Sequence, residues 1–297
     1  MRDEKRFAVL IDADNISAKY IKYILDEITN YGVATYKRIY GDWTSRGNST
    51  WKTVLLDNSI NPIQQYSYTQ GKNATDAAMI IDAMDILYSE NVDGFCIVSS
   101  DSDFTKLSSR LRESGMLVVG MGEKKTPKPF IASCNEFKYL DVLAETEEKS
   151  LEKEEEIPNI EKESESNKAN LENTRKNDRV KKETNKQDTT DRNIKTMTDL
   201  KQIQTTIMQM MDKLDGDDQS MNIGELGSRL VKRYPDFDVR NYGYTKLSKF
   251  LKHFDFIKID PKKKNGIWVT LKNEEIKQEI KKHPKKAKRK RRNYRKK

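Results

Sequence analysis

Phe7-Ala8-Val9-Leu10-Ile11-Asp12-Ala13-Asp14-Asn15 is the stretch on which the reading of the front half turns. Five apolar residues in succession run straight into two carboxylates spaced two apart. An uninterrupted apolar run of this length reads as a strand covered on both faces, the kind found in parallel sheets. Four further runs resemble it, at Val33–Ile39, Gly94–Ser99, Met116–Gly120 and Phe137–Leu140. Helix-like stretches lie between and around them, at Ser17–Asn30, Thr50–Asn58, Thr75–Ser89, Ser102–Glu113 and Pro127–Cys134. Strand alternating with helix predicts an α/β domain over residues 1–145, with a parallel sheet and helices on both faces. In such sheets ligands sit beyond the carboxyl ends of the strands.

That rule directs attention to the acidic residues. Asp12 ends the first apolar run, and Asp101 and Asp103 follow the one that closes at Ser99. Asp76 opens the helix that begins near Thr75. A parallel sheet can bring these points to one edge. Carboxylates crowded together raise each other's pKa, and a hard divalent cation with oxygen ligands relieves the conflict. Mg²⁺ or Mn²⁺ at such a site polarises a phosphate and activates water without any histidine. The only two histidines, His253 and His283, lie far down the chain. A plainer reading exists for each residue. Asp103 could serve only as a helix cap. Asn15 could orient Asp12, meet a phosphate oxygen, or merely begin the next helix. Asp82, six residues beyond Asp76, lies about 9 Å along a helix from it and suits a packing or solvated role. Ser100 could be a ligand or nucleophile, but no partner base is visible, and it reads as shaping the turn.

Composition divides the chain. Hydrophobic and charged residues each make up 35%, too polar for one compact globule. Residues 1–147 hold 17 Lys and Arg against 21 Asp and Glu, whereas residues 272–297 hold 14 against 3. The basic end would attract a polyanion through counterion release. Residues 146–196 are dominated by Lys, Glu, Asn, Asp and Thr and are expected to form a flexible, disordered linker. Periodicity returns over 197–272. Leu200, Ile203, Ile207 and Met211 mark one helix, which Gly216-Asp217-Asp218 ends. Ile223–Tyr234 and Tyr244–His253 read as two more, followed by a hairpin of Phe256–Ile259 and Ile267–Leu271. Three helices and a hairpin predict a small winged helix-turn-helix domain. Residues 273–297 are expected to be a basic disordered tail. With two cysteines, no apolar membrane span and a charged start, the chain is expected to be cytoplasmic and clear of membranes.

The ordered set Val9–Asn15, Lys72-Asn73-Ala74-Thr75-Asp76 and Ser99-Ser100-Asp101-Ser102-Asp103-Phe104 resembles the NYN domain, a branch of the PIN-like nuclease superfamily. Gly120-Met121-Gly122, Thr126-Pro127 and Ala132–Phe137 resemble its LabA-like subgroup. The resemblance implies a Rossmann-like fold and a ribonuclease dependent on Mg²⁺ or Mn²⁺. It carries catalytic and metal-holding roles onto Asp12, Asp76, Asp101 and Asp103, with Asn15 in support. Asn73-Ala74-Thr75 stands where many relatives have a glycine-containing turn. Ile223–Gly227, Asp236-Phe237-Asp238 and Asn241–Leu247 resemble the OST-HTH, or LOTUS, domain, implicated in RNA binding and protein contacts.

RNA contacts are expected from Lys72 beside the acidic edge, from Tyr242, Tyr244, Lys246 and Lys249 around the third helix, from Lys263 at the hairpin tip and from Arg289 and Arg291 in the tail. Core packing is the alternative for at least one of the two tyrosines, and a solvated turn for Lys263. Arg46, Lys124, Lys125 and Lys128 could flank the acidic site. Trp43 could stack on a base, while Trp51 reads as packing. The expected whole is an endoribonuclease acting on single-stranded RNA, with the second domain and tail as a tether. Two rivals stand beside it. One is a non-catalytic RNA-binding or regulatory adaptor. The other is a haloacid-dehalogenase-like phosphatase using Asp12 as nucleophile, though Asn15-Ile16 departs from that motif and the RNA-binding appendages would be unexplained.

Overall fold

The computed structural model describes residues 4–66, 73–155, 197–214, 220–261 and 266–272. The front domain is the parallel α/β sheet that the alternating pattern predicts. Its strands are β1 (Arg6–Asp12), β2 (Val33–Gly41), β3 (Asn61–Gln64), β4 (Gly94–Val98), β5 (Leu117–Gly122) and β6 (Glu136–Tyr139). They lie in the order β3-β2-β1-β4-β5-β6, and every neighbouring pair is parallel. From β1 the chain builds outward through β2 and β3, then returns to β4 on the other side. The switch point of the sheet is therefore the crevice between β1 and β4.

β1 shows why a continuous apolar run was needed. Phe7, Val9 and Ile11 enter the core on one face of the sheet, and Ala8 and Leu10 enter the core on the other. All five are completely buried. Helices α1 (Ile21–Ile28), α2 (Trp51–Asp57) and α6 (Leu140–Glu155) serve the first face, whose core includes Ile24, Trp51 and Leu143. Helices α3 (Ala74–Tyr88), α4 (Thr105–Glu113) and α5 (Lys128–Ser133) serve the second, with Met79, Leu111 and Phe130.

Two elements of the front domain depart from expectation. β3 is absent from the pattern because Asn61-Pro62-Ile63-Gln64 is short and carries a proline, which a sheet tolerates at an edge. Helix α6 runs on to Glu155, past the expected start of the linker at 146. Its first turn is anchored by buried Leu140, Val142 and Leu143. The rest of the linker, residues 156–196, lies outside the described residues, as do the break at Gly216-Asp217-Asp218 and the tail.

The second domain contains α7 (Leu200–Asp212), β7 (Ser220–Asn222), α8 (Ile223–Arg233), α9 (Leu247–Lys252), β8 (Ile257–Asp260) and β9 (Trp268–Leu271). Its antiparallel sheet has the order β7-β9-β8. Asp199 and Asn222 cap α7 and α8 by accepting from Lys201 N–H and Gly224 N–H. A 3₁₀ turn, Val239–Tyr242, precedes α9, so the third helix starts at Leu247 and not at Tyr244. The core gathers Ile203, Ile207, Leu226, Leu230, Phe250 and Val269, all completely buried. No helix among the described residues is long and apolar enough to cross a membrane.

The two domains touch. Strand β6 is one of the two edge strands of the large sheet, and three successive residues on it meet the second domain. Phe137 N–H donates to Pro235 O at 2.8 Å, Lys138 Nζ to Asp238 Oδ2 at 2.9 Å, and Tyr139 OH to Asp236 Oδ2 at 3.3 Å. Arg240 reaches across to Glu27 of α1 with two bonds of 3.0 Å.

Candidate active site

The acidic edge is assembled from loops that leave β1 and β4 and from the start of α3. Asp12 is the last residue of β1 and is completely buried. Its Oδ1 accepts from Asp14 N–H at 3.0 Å, and its Oδ2 accepts from Asn15 Nδ2 and Ser99 Oγ, each at 2.7 Å. Asn15 thus lies within hydrogen-bond reach of Asp12 and contacts its carboxylate directly. Burial raises the Asp12 pKa above its ordinary value, and these hydrogen bonds oppose part of that rise.

Ser99 joins the two strand ends. While donating to Asp12, its Oγ accepts from Asp101 N–H at 3.0 Å. Asp101 in turn accepts from Asp103 N–H at 2.9 Å and so caps the short 3₁₀ turn Ser102–Phe104. The capping role considered for Asp103 thus belongs to Asp101. Asp103 is exposed, and its carboxylate accepts from the Asn73 side chain. Asn73 precedes α3 without capping it through its side chain. It ties the start of that helix to the β4 loop.

Asp76 lies in the first turn of α3 and is half-buried. Its pKa is pushed up to about 6, first by burial and then by the charges of Asp12, Asp101, Asp103 and Asp14. All four acids expected at the site therefore share one electrostatic neighbourhood, together with Asp14. Yet among the described residues no group of three His, Cys, Asp or Glu side chains is drawn together closely enough to hold an ion. The two observations concern different ranges. Charge acts over several ångströms, whereas coordination needs oxygens near 2 Å from the metal. The donor chemistry fits a hard cation, because every candidate ligand is a carboxylate oxygen. Asp101 and Asp103 are engaged with local donors.

The floor of the site depends on close backbone packing. A Cβ at Gly122 would stand 2.5 Å from Ser99 O and 2.6 Å from Thr126 Oγ1. Ser100 Oγ accepts from Glu123 N–H at 2.9 Å, so it shapes this turn. Sequence reasoning gave no role to Ser99, Asn73 or Asp14. Ser99 and Asn73 both lie inside the quoted motifs, but only the fold reveals which way they reach.

The remaining candidate residues take several places in the fold. Asp82 pairs with Arg38 and Tyr40, a packing role. Trp51 is buried, and Trp43 donates its indole N–H to Ile63 O at 3.0 Å. Lys124 and Lys125 pair with Glu145 and Glu123. Lys246 and Lys249 are exposed. Tyr242 is set against Phe237 and Phe250 and donates its hydroxyl to Thr198 O at 2.8 Å. Tyr244 packs edge-on against Phe250. Both tyrosines therefore pack against the small core. Lys72, Lys263, Arg289 and Arg291 lie outside the described residues.

Comparison with known proteins agrees with this architecture. Residues 6–141 match the NYN domain and residues 198–269 the OST-HTH/LOTUS domain. An uncharacterized protein of Methanocaldococcus jannaschii is 26% identical over 125 residues, which cover 41% of this chain and 49% of that protein. The chain thus spans about half the length of that relative. A crystal structure of a protein of unknown function from Vibrio parahaemolyticus aligns over 47% of this chain and 94% of its own, at 17% identity and a TM-score of 0.40. The NYN domain is nuclease-type and the OST-HTH/LOTUS domain RNA-binding, and this chain carries the first over residues 6–141 and the second over residues 198–269.

Proposed function

We propose that the chain is a metal-dependent endoribonuclease that hydrolyses single-stranded RNA at the edge formed by Asp12, Asp76, Asp101 and Asp103. The observation that carries this reading is the gathering of these carboxylates at the sheet's switch point, where burial first and then their mutual charge push Asp76 up to about 6. PIN-like nuclease domains generally use divalent metals. Bound Mg²⁺ or Mn²⁺ would polarise the phosphoryl oxygen and acidify an attacking water. Asp12, Asp76 and Asp101 would hold the ion, and Asp103 would complete the set or orient the water. Asn15 and Ser99 fix the direction of the Asp12 oxygens before any ligand arrives. Exposed Lys246 and Lys249 supply cations for phosphates on the second domain.

The second reading is a non-catalytic RNA-binding adaptor, supported by the match to the RNA-binding OST-HTH/LOTUS domain. Cleavage of labelled single-stranded RNA with Mn²⁺ or Mg²⁺ by the full chain, beside Asp12→Asn and Asp101→Asn, separates the two. The nuclease reading expects cleavage by the parent, and loss of cleavage with retained RNA binding in both variants. RNA binding without cleavage by any of the three favours the adaptor. Equal cleavage by all three excludes this site as the source.

A further inference from the structure

The junction between the domains has features that an incidental contact lacks. Glu27 falls on the buried stripe of α1 with Ile21, Ile24 and Ile28, where a carboxylate needs a partner. It is 7% exposed, and its two oxygens are met by Arg240 at 3.0 Å each. Arg240 is prepared for this by its own domain. Asp238 accepts from its backbone N–H, from Nε at 3.0 Å and from Nη2 at 2.7 Å, which leaves the outer guanidinium edge aimed at Glu27. Lys138 of β6, 12% exposed, completes the cluster between Asp238 at 2.9 Å and Glu27 at 3.6 Å. Each domain thus holds a largely buried charge answered from the other. The Asp236-Phe237-Asp238 motif supplies two of the groups, since Asp236 accepts from Tyr139 as well as from Thr198. The Phe137–Pro235 backbone bond satisfies one donor on the β6 edge of the large sheet.

We infer that Glu27, Lys138, Asp238 and Arg240 form a lock that fixes the OST-HTH domain against β6, so that RNA held on its Lys246 and Lys249 face is offered to the acidic edge at a set distance. The domain is then a gauge for the position of the cut, and Arg240 and Glu27 are specificity-determining positions remote from the chemistry. The gauge rests on the nuclease reading above; the lock does not.

Single-molecule energy transfer in the full chain reads the lock directly. Cys96 and Cys134 are buried, so exposed Glu113→Cys and Asp255→Cys can carry the dyes. The expected result is one narrow transfer efficiency, broadened by Arg240→Gln and, separately, by the near-isosteric Glu27→Gln. A broad distribution in the parent overturns the lock, as does a narrow one unchanged in both variants. End-labelled RNA with Mn²⁺ reads the gauge. The parent should give a few discrete products and each variant a spread of them, with overall cleavage within about threefold of the parent. An identical product pattern overturns the gauge. If the parent cuts no RNA, the nuclease reading and the gauge fall together, and energy transfer still decides the lock.

Discussion

At the scale of single residues, the chemistry of the edge can be tested through protons. Asp76 titrates near 6 when folded and near its ordinary value, about 4, when unfolded. In the metal-free protein the folded state therefore keeps a proton that the unfolded chain has lost. Stability should decline as pH rises from about 4 to about 6 and stay level above that. Asp76→Asn removes the decline, so the metal-free variant should be more stable than the parent by on the order of 1 kcal/mol at pH 7, with no gain at pH 4. Thermal melts in chelator across that range measure it, and an equal gain at both pH values would show that ionisation of Asp76 is not the cause. Added Mn²⁺ should reverse the order by binding the parent better. Ser99→Ala tests positioning. It removes the donor to Asp12 and the acceptor for Asp101 N–H together, and is expected to lower Mn²⁺ affinity or cleavage about 10–100-fold. Calorimetric titration beside a cleavage assay would detect it, and unchanged values in both would remove Ser99 from the site. Asp12 is legible in the sequence because a charge that ends an apolar run must end at a strand terminus. Ser99 is not, because its effect depends on the direction of one hydroxyl between two strands that are 87 residues apart.

At the scale of elements, the site is only as firm as the β5 turn beneath it. Gly122→Ala would force a methyl against Ser99 O, which belongs to backbone and cannot swing away. The β4 loop bearing Asp101 must then shift. The expected cost is about 1–3 kcal/mol of stability, with a loss of cleavage larger than the melt alone explains. Gly115→Ala is a useful contrast, for nothing lies within 4 Å of its Cβ although its φ of 84° still strains an alanine. It should cost stability and leave the cleavage of the folded fraction unchanged. If both variants affect cleavage alike, packing under the edge is not what holds Asp101 in place. The central strands could be read from composition because burial on both faces demands an unbroken apolar run. Edge and surface elements escape that logic. β3 is four residues long with a proline, β7 is three, and α6 beyond its first turn is charged on most positions. The pattern of Tyr244–His253 suggests a helix three residues too early, because Tyr244 packs on Phe250 from a turn before α9 begins.

At the scale of the whole molecule, charge is divided between two tasks that the sequence shows only as a gradient. The acidic front would repel a polyanion such as RNA, and the basic end would attract it. What the gradient does not reveal is that some of the charge serves the junction. Glu27 and Lys138 look like ordinary surface residues in a chain that is 35% charged, and their partners lie 213 and 100 residues away. A tethered domain and a docked one therefore read alike in sequence, but they predict different responses to salt. Residues 273–297 hold 13 Lys and Arg against 3 Asp and Glu. If these cations contact phosphates, a chain ending at Lys272 should lose several units from the slope of log K against log salt on single-stranded RNA, with about nine as the ceiling at 0.7 per contact. The lock should be far less sensitive, because its pairs are largely buried and screened little. Energy transfer between the labelled domains should hold from about 50 to 200 mM salt while RNA affinity falls steeply. A slope that is the same with and without residues 273–297 would assign the RNA contacts to the folded domains. Domains that part over the same range would mean that the junction depends on exposed charge, which its burial argues against.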